Sequence, residues 1–155
     1  MNWLTNKTFD QIKVGDSASL SKKLTMKEIE LFALASGDFN PFHLDEEFAK
    51  KAFFGKIIAH GMWTASLISA VLGNQLPGPG TIYLTQSIRF CRPVMLDDVI
   101  TARVTVIKKN IRKPVVYLSC ECTNQHGKLV MSGISRVLAP TQSIHCEIKK
   151  IKTDL

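Results

Sequence analysis

From Ile57 to Ile88 the chain contains no Lys, Arg, Asp or Glu, and within that stretch Gly61 to Leu76 reads as one helix, apolar nearly all round. Such a helix has little to offer water and must be buried by the rest of the chain. A membrane span is the competing outcome. His60, Thr64, Ser66, Ser69, Asn74 and Gln75 interrupt the stretch, and no run of roughly 18 apolar residues exists, so a globular core is expected instead.

The material that buries this helix follows it. Pro77-Gly78-Pro79-Gly80 is a hard stop. Strand periodicity then runs over Thr81–Phe90, Val99–Lys108, Val115–Thr123 and Leu129–Leu138, with Asn124-Gln125-His126-Gly127 as a hairpin turn. A short polar strand is expected earlier, at Ser17–Lys23. One leading strand, then helices, then consecutive strands is an α+β pattern with an antiparallel sheet, which packs best curved around the uncharged helix. A chain of 155 residues with 45% hydrophobic residues suits one domain over 1–155, with a core at about 10–140 and a peripheral tail from Thr141 to Leu155.

Between the first strand and the buried helix, Thr25-Met26-Lys27-Glu28 has the form of a capping box. Ile29, Phe32 and Ala33 follow at helical spacing until Ser36-Gly37-Asp38 breaks the pattern. Asp45 is a good N-cap for a second short helix, with Glu46 and Glu47 in its first turn and Phe48, Ala52 and Phe53 on its inner side.

Charge and cysteine usage narrow the function classes. A net charge of +7 invites a nucleic-acid reading. The Lys and Arg residues are scattered in pairs without interleaved aromatics, which fits a solvated basic surface or a phosphate-bearing small molecule better. Cys91, Cys120, Cys122 and Cys146 form no pair of CxxC arms, so reduced thiols, no metal site and a cytoplasmic protein are expected. The first residues, Met1 to Lys7, show no basic segment followed by an apolar run, so no secretion signal is expected.

The loop between the two short helices gathers Asp38, Asn40 and His43 within six residues. Taken singly these are turn formers and an ordinary imidazole. Together, a carboxylate and an imidazole on one constrained loop can reach one water and move a proton both ways. His60-Gly61-Met62 then opens the buried helix. Unpaired N–H groups at a helix start can hold developing negative charge, and a glycine there lets a carbonyl approach the backbone.

The run Ala35-Ser36-Gly37-Asp38-Phe39-Asn40-Pro41-Phe42-His43-Leu44-Asp45 resembles the signature of the R-specific enoyl-CoA hydratases, the MaoC-like group of hot-dog-fold proteins. Ile58-Ala59-His60-Gly61-Met62, the helix through Ser66 and Ser69, and Ser87-Ile88-Arg89-Phe90-Cys91-Arg92-Pro93 extend the likeness over roughly residues 10 to 140. The resemblance implies a long central helix wrapped by an antiparallel sheet, in a homodimer whose sheets join edge to edge. It implies Asp38 and His43 as catalytic residues that hold and activate water for addition to a trans-2-enoyl thioester. The Gly61 N–H would take the thioester carbonyl, and Ser69 would line the site. Asn40, Phe42, Met62 and Leu72 join as supporting or substrate-binding positions, with Trp63, Leu72 and Phe42 shortening the acyl pocket. The partner would be an acyl-CoA, or an acyl-carrier-protein thioester, with coenzyme A part of the substrate and no separate cofactor, nucleic acid or membrane. A thioesterase and a non-catalytic thioester-binding module are the alternatives on the same fold.

Overall fold

A computed structural model describes residues 3–149. The chain order is β1 (Trp3–Thr5), β2 (Ser17–Lys23), α1 (Met26–Ser36), α2 (Pro41–Leu44), α3 (Glu46–Lys51) and α4 (Gly61–Asn74). Then come β3 (Ile82–Phe90), β4 (Val99–Lys109), β5 (Val115–Thr123), β6 (Leu129–Leu138) and β7 (His145–Glu147). Five strands form one antiparallel sheet in the order β2-β4-β5-β6-β3. Strand alternation sets its inner face. Ile100, Ala102, Val104 and Val106 of β4 and Val116, Leu118, Cys120 and Cys122 of β5 are all at most 1% exposed.

Helix α4 lies on that face, with Trp63, Leu67, Ile68, Val71 and Leu72 buried in the same core. Each large apolar side chain so buried is worth about 1.5–3 kcal/mol. This is the sheet curved around a central helix that the order of elements predicts, and the hot-dog arrangement that the resemblance implies. The helix is not covered all round, however. Gly61, Met62, Ser66 and Ser69 remain exposed along one stripe, because the sheet and α1 leave that side open. No helix among the described residues is long and apolar enough to cross a membrane.

Helix α1 starts as expected, with Thr25 Oγ1 accepting from Glu28 N at 3.2 Å. The reciprocal half of the capping box is not made. Glu28 reaches instead to Trp63 Nε1, which donates at 3.2 Å, and to Lys22 Nζ at 2.9 Å, tying α1 to α4. Burial pushes the Glu28 carboxyl up, but those two hydrogen bonds and the charge of Lys22 together outweigh it and hold it below the ordinary value. Asp45 caps α3, accepting from Phe48 N at 2.9 Å. The expected inner side of α3 needs correction. The helix ends at Lys51, so Ala52 and Phe53 lie beyond it, and it packs through Ala49, while Phe48 is 43% and Phe53 92% exposed.

The ends of the chain meet in a two-stranded sheet apart from the main one, where β7 pairs with β1 and Trp3 stacks on His145 with ring centroids 4.7 Å apart. Residues 150–155 of the tail lie outside the described residues, as do residues 1–2. The four cysteines are free, and burial pushes the Cys122 thiol up to about 12, which suits a small core hydrophobe.

Candidate active site

A relay of local hydrogen bonds shapes the loop that carries the motif. Gly37 ends α1 in the left-handed region at φ 75°, and its N–H donates to Ala33 O at 2.8 Å. Ser36 Oγ donates to Phe32 O and accepts from Asp38 N. Asp38 Oδ1 accepts from Asn40 N at 3.1 Å, and Asn40 Oδ1 in turn accepts from Phe42 N at 3.2 Å as the N-cap of α2. Pro41, at the first position of that one-turn helix, is suited to it by its fixed φ. Asp38 is left exposed at the lip and His43 buried below it.

The tautomer of His43 follows from its partner. Nδ1 lies 2.7 Å from the Ile58 carbonyl, which can only accept, so Nδ1 carries the proton and Nε2 presents a lone pair when the ring is neutral. Burial pulls its pKa below the ordinary imidazole value of 6.5; the Ile58 bond opposes this, nearby His60 adds to it and Asp38 opposes it. A carboxylate oxygen of Asp38 and a ring nitrogen each of His43 and His60 lie within 4.8 Å of one another. One water can bridge two acceptors separated by up to about 5.5 Å, so Asp38 and His43 can share it.

His60 is the residue that sequence reasoning left outside the site. Its Nε2–H donates to the main-chain carbonyl of Asp38 at 2.9 Å, and its ring lies 3.9 Å from that of His43 at an interplanar angle of 30°. Its Nδ1 is buried without a hydrogen-bond partner, an omission that costs about 1–3 kcal/mol. The available signal was a histidine directly before the glycine that opens the charge-free helix. By distance alone the three side chains could hold a metal ion. Their stacking argues otherwise, since two imidazoles 3.9 Å apart at an interplanar angle of 30° point their in-plane lone pairs alongside each other rather than at a common point.

Gly61 is the first residue of α4, and its N–H meets no acceptor among the described residues. It borders a cleft of about 400 Å³ lined also by His43, Thr64, Phe90, Arg92 and Val130. A Cβ at Gly61 would stand 3.0 Å from the Phe90 ring, so the glycine keeps the amide approachable. Ser69 and Met62 line a second opening of about 520 Å³ with Phe32, Ser66, Tyr83 and Ile88. Asn40 acts as a cap, and Phe42 turns to Phe48 in an edge contact at 5.3 Å. Leu72 is 1% exposed in the core, and neither it nor Trp63 lines either of these two openings.

The arrangement thus offers a lone pair on a buried imidazole and a free amide at one cleft, with a carboxylate beside the imidazole, the minimum for adding water to a polarised double bond. Comparisons with known proteins agree with it. The chain is 46% identical over 134 residues to an (R)-specific enoyl-CoA hydratase of Rhodospirillum rubrum, covering 86% of this chain and 92% of that protein. It is 44% identical over 129 residues to the (R)-specific enoyl-CoA hydratase of Aeromonas caviae, covering 83% and 96%. The structure of the unliganded R-hydratase PhaJ1 from Pseudomonas aeruginosa superposes with a TM-score of 0.92 at 37% identity, covering 96% of each chain. With residues 10–124 also matching the family described as "MaoC like domain", the chain belongs to the MaoC-like dehydratase family.

Proposed function

We propose that this protein is an R-specific enoyl-CoA hydratase, adding water reversibly to a trans-2-enoyl-CoA to give the R-3-hydroxyacyl-CoA. The observation that carries the reading is that the cleft bordered by the His43 imidazole and the free amide of Gly61 has the Asp38 carboxylate within 4.8 Å of a His43 ring nitrogen. Asp38 takes a proton from water while the lone pair on His43 Nε2 accepts the other hydrogen and fixes the oxygen toward C3. As the C3–O bond forms, negative charge gathers on the thioester oxygen, and the Gly61 N–H stabilises it. Such a donor contributes about 10²- to 10³-fold in rate. The enolate then takes at C2 the proton that the Asp38–His43 pair removed from water, which restores the carbonyl and regenerates the pair. The acyl chain would enter the opening lined by Ser69 and Met62, and no cofactor beyond the substrate's own coenzyme A takes part.

The proposal takes residues 1–155 as one domain working as a homodimer. Support for the dimer comes from β3, an edge strand on which Ile82, Leu84 and Phe90 are 56%, 41% and 52% exposed. Crotonyl-CoA tests the activity. Loss of enoyl-thioester absorbance without release of free thiol is the expected result, whereas thiol release without hydration identifies a thioesterase and overturns the reading.

A further inference from the structure

The geometry points to His60 as the positioning residue of this site: one buried ring holds Asp38 and His43 in place beside the Gly61 amide. What the pair does rests on the hydratase reading, but the contacts stand apart from it. His60 Nε2–H donates to the Asp38 carbonyl at 2.9 Å, and its face packs on His43 at 3.9 Å. Phe32 packs on the same ring at 5.1 Å, and Gly61 is the next residue in the chain. A shift of this one ring therefore moves the base, the imidazole and the helix start together.

Two observations separate this role from core filling. Asp38 is exposed, and its other hydrogen bonds, to Ser36 and Asn40, reach only two residues along the chain. The bond from His60 spans 22 residues and is the one that anchors Asp38 to the body of the fold among the described residues. His60 is also 2% exposed with Nδ1 unpartnered, a defect that a phenylalanine of similar shape would avoid. The Nε2–H is what the imidazole adds over such a filler.

The test uses the full chain and two substitutions. His60→Phe keeps an aromatic ring against His43 and removes the donor. His60→Gln places an amide N–H near the Nε2 position and removes the ring. With crotonyl-CoA, His60→Phe is expected to lower kcat about 10- to 100-fold with KM little changed, and His60→Gln to recover part of that loss. A kcat for His60→Phe within about twofold of wild type overturns the inference, as do equal losses in both variants that track their loss of thermal stability. Imidazole ¹H–¹⁵N correlations on the wild-type chain, which has four histidines, judge the contact independently of turnover. A slowly exchanging Nε2–H on His60 is expected, and an Nδ1–H tautomer there overturns the inference. Failure of the wild type to hydrate crotonyl-CoA would sink the hydratase reading instead, leaving the tautomer to decide the positioning role.

Discussion

The roles proposed for Asp38 and His43 differ because their surroundings do. Asp38 is exposed, while His43 is buried and locked by Ile58 with its proton on Nδ1. Asp38→Asn removes the base and His43→Ala the lone pair that orients water, so each is expected to lower hydration of crotonyl-CoA about 10²- to 10⁴-fold. Wild-type-like turnover in either variant, with an unchanged circular dichroism spectrum, would remove the assignment. The pH profile follows from the direction of the His43 shift. In the proposed mechanism hydration needs the neutral ring, and burial holds its pKa below 6.5, so the acid limb of kcat/KM should fall below pH 6.5. Stability has the matching sign. The unfolded chain protonates this histidine more readily than the folded one, so the contribution is whole above the unfolded value and is lost as pH falls through the folded one. Thermal unfolding of His43→Gln should show a weaker decline over that acid range than wild type. These two residues were legible because they sit in one short motif. His60 was not, because its partners are a neighbouring ring and a backbone carbonyl, and no residue type announces a carbonyl.

The elements were legible where their signals are local. Thr25 and Asp45 mark helix starts through their own side chains, β5 and β6 span the residues that strand periodicity gave them, and β2 spans the short polar stretch expected as a strand. Helix α2 was missed because four residues are too few for any periodicity, and its cap and proline look like an ordinary turn. Strands β1 and β7 were missed because a three-residue strand is defined by its distant partner alone. At α4 the first residue carries both structure and chemistry, and the two can be separated. Gly61→Ala is compatible with a helix start, and the Phe90 ring it would crowd is half exposed and can turn away. The added methyl group still crowds the approach to the amide. The variant should therefore melt at or above the wild-type temperature while kcat/KM falls by about tenfold or more. Loss of stability in proportion to activity would instead make Gly61 a packing residue.

For the molecule as a whole, the two edges of the sheet differ in kind. The edge at β2 is built from Ser17, Ser19, Ser21, Lys22 and Lys23, a polar strand that discourages pairing. The edge at β3 exposes Ile82, Leu84 and Phe90, and Ile134 on the neighbouring β6 is 46% exposed. Close to β3 the uncovered stripe of α4, with Met62 and Ser69, borders the opening that also takes in Tyr83 and Ile88 of that strand. A second copy joined along β3 would cover exposed apolar side chains and wall this opening at once, so assembly and the proposed acyl site would be linked through one strand. Light scattering should give twice the 17.3 kDa of the chain for the wild type. Ile82→Lys with Leu84→Lys, outside the catalytic cleft, should shift the mass toward the monomer and weaken KM for enoyl-CoA more than kcat, because the wall of the opening is lost while Asp38, His43 and Gly61 stay in place. A monomeric wild type, or a monomeric variant with unchanged KM, would separate the dimer from the acyl site and leave β3 as an edge without that role.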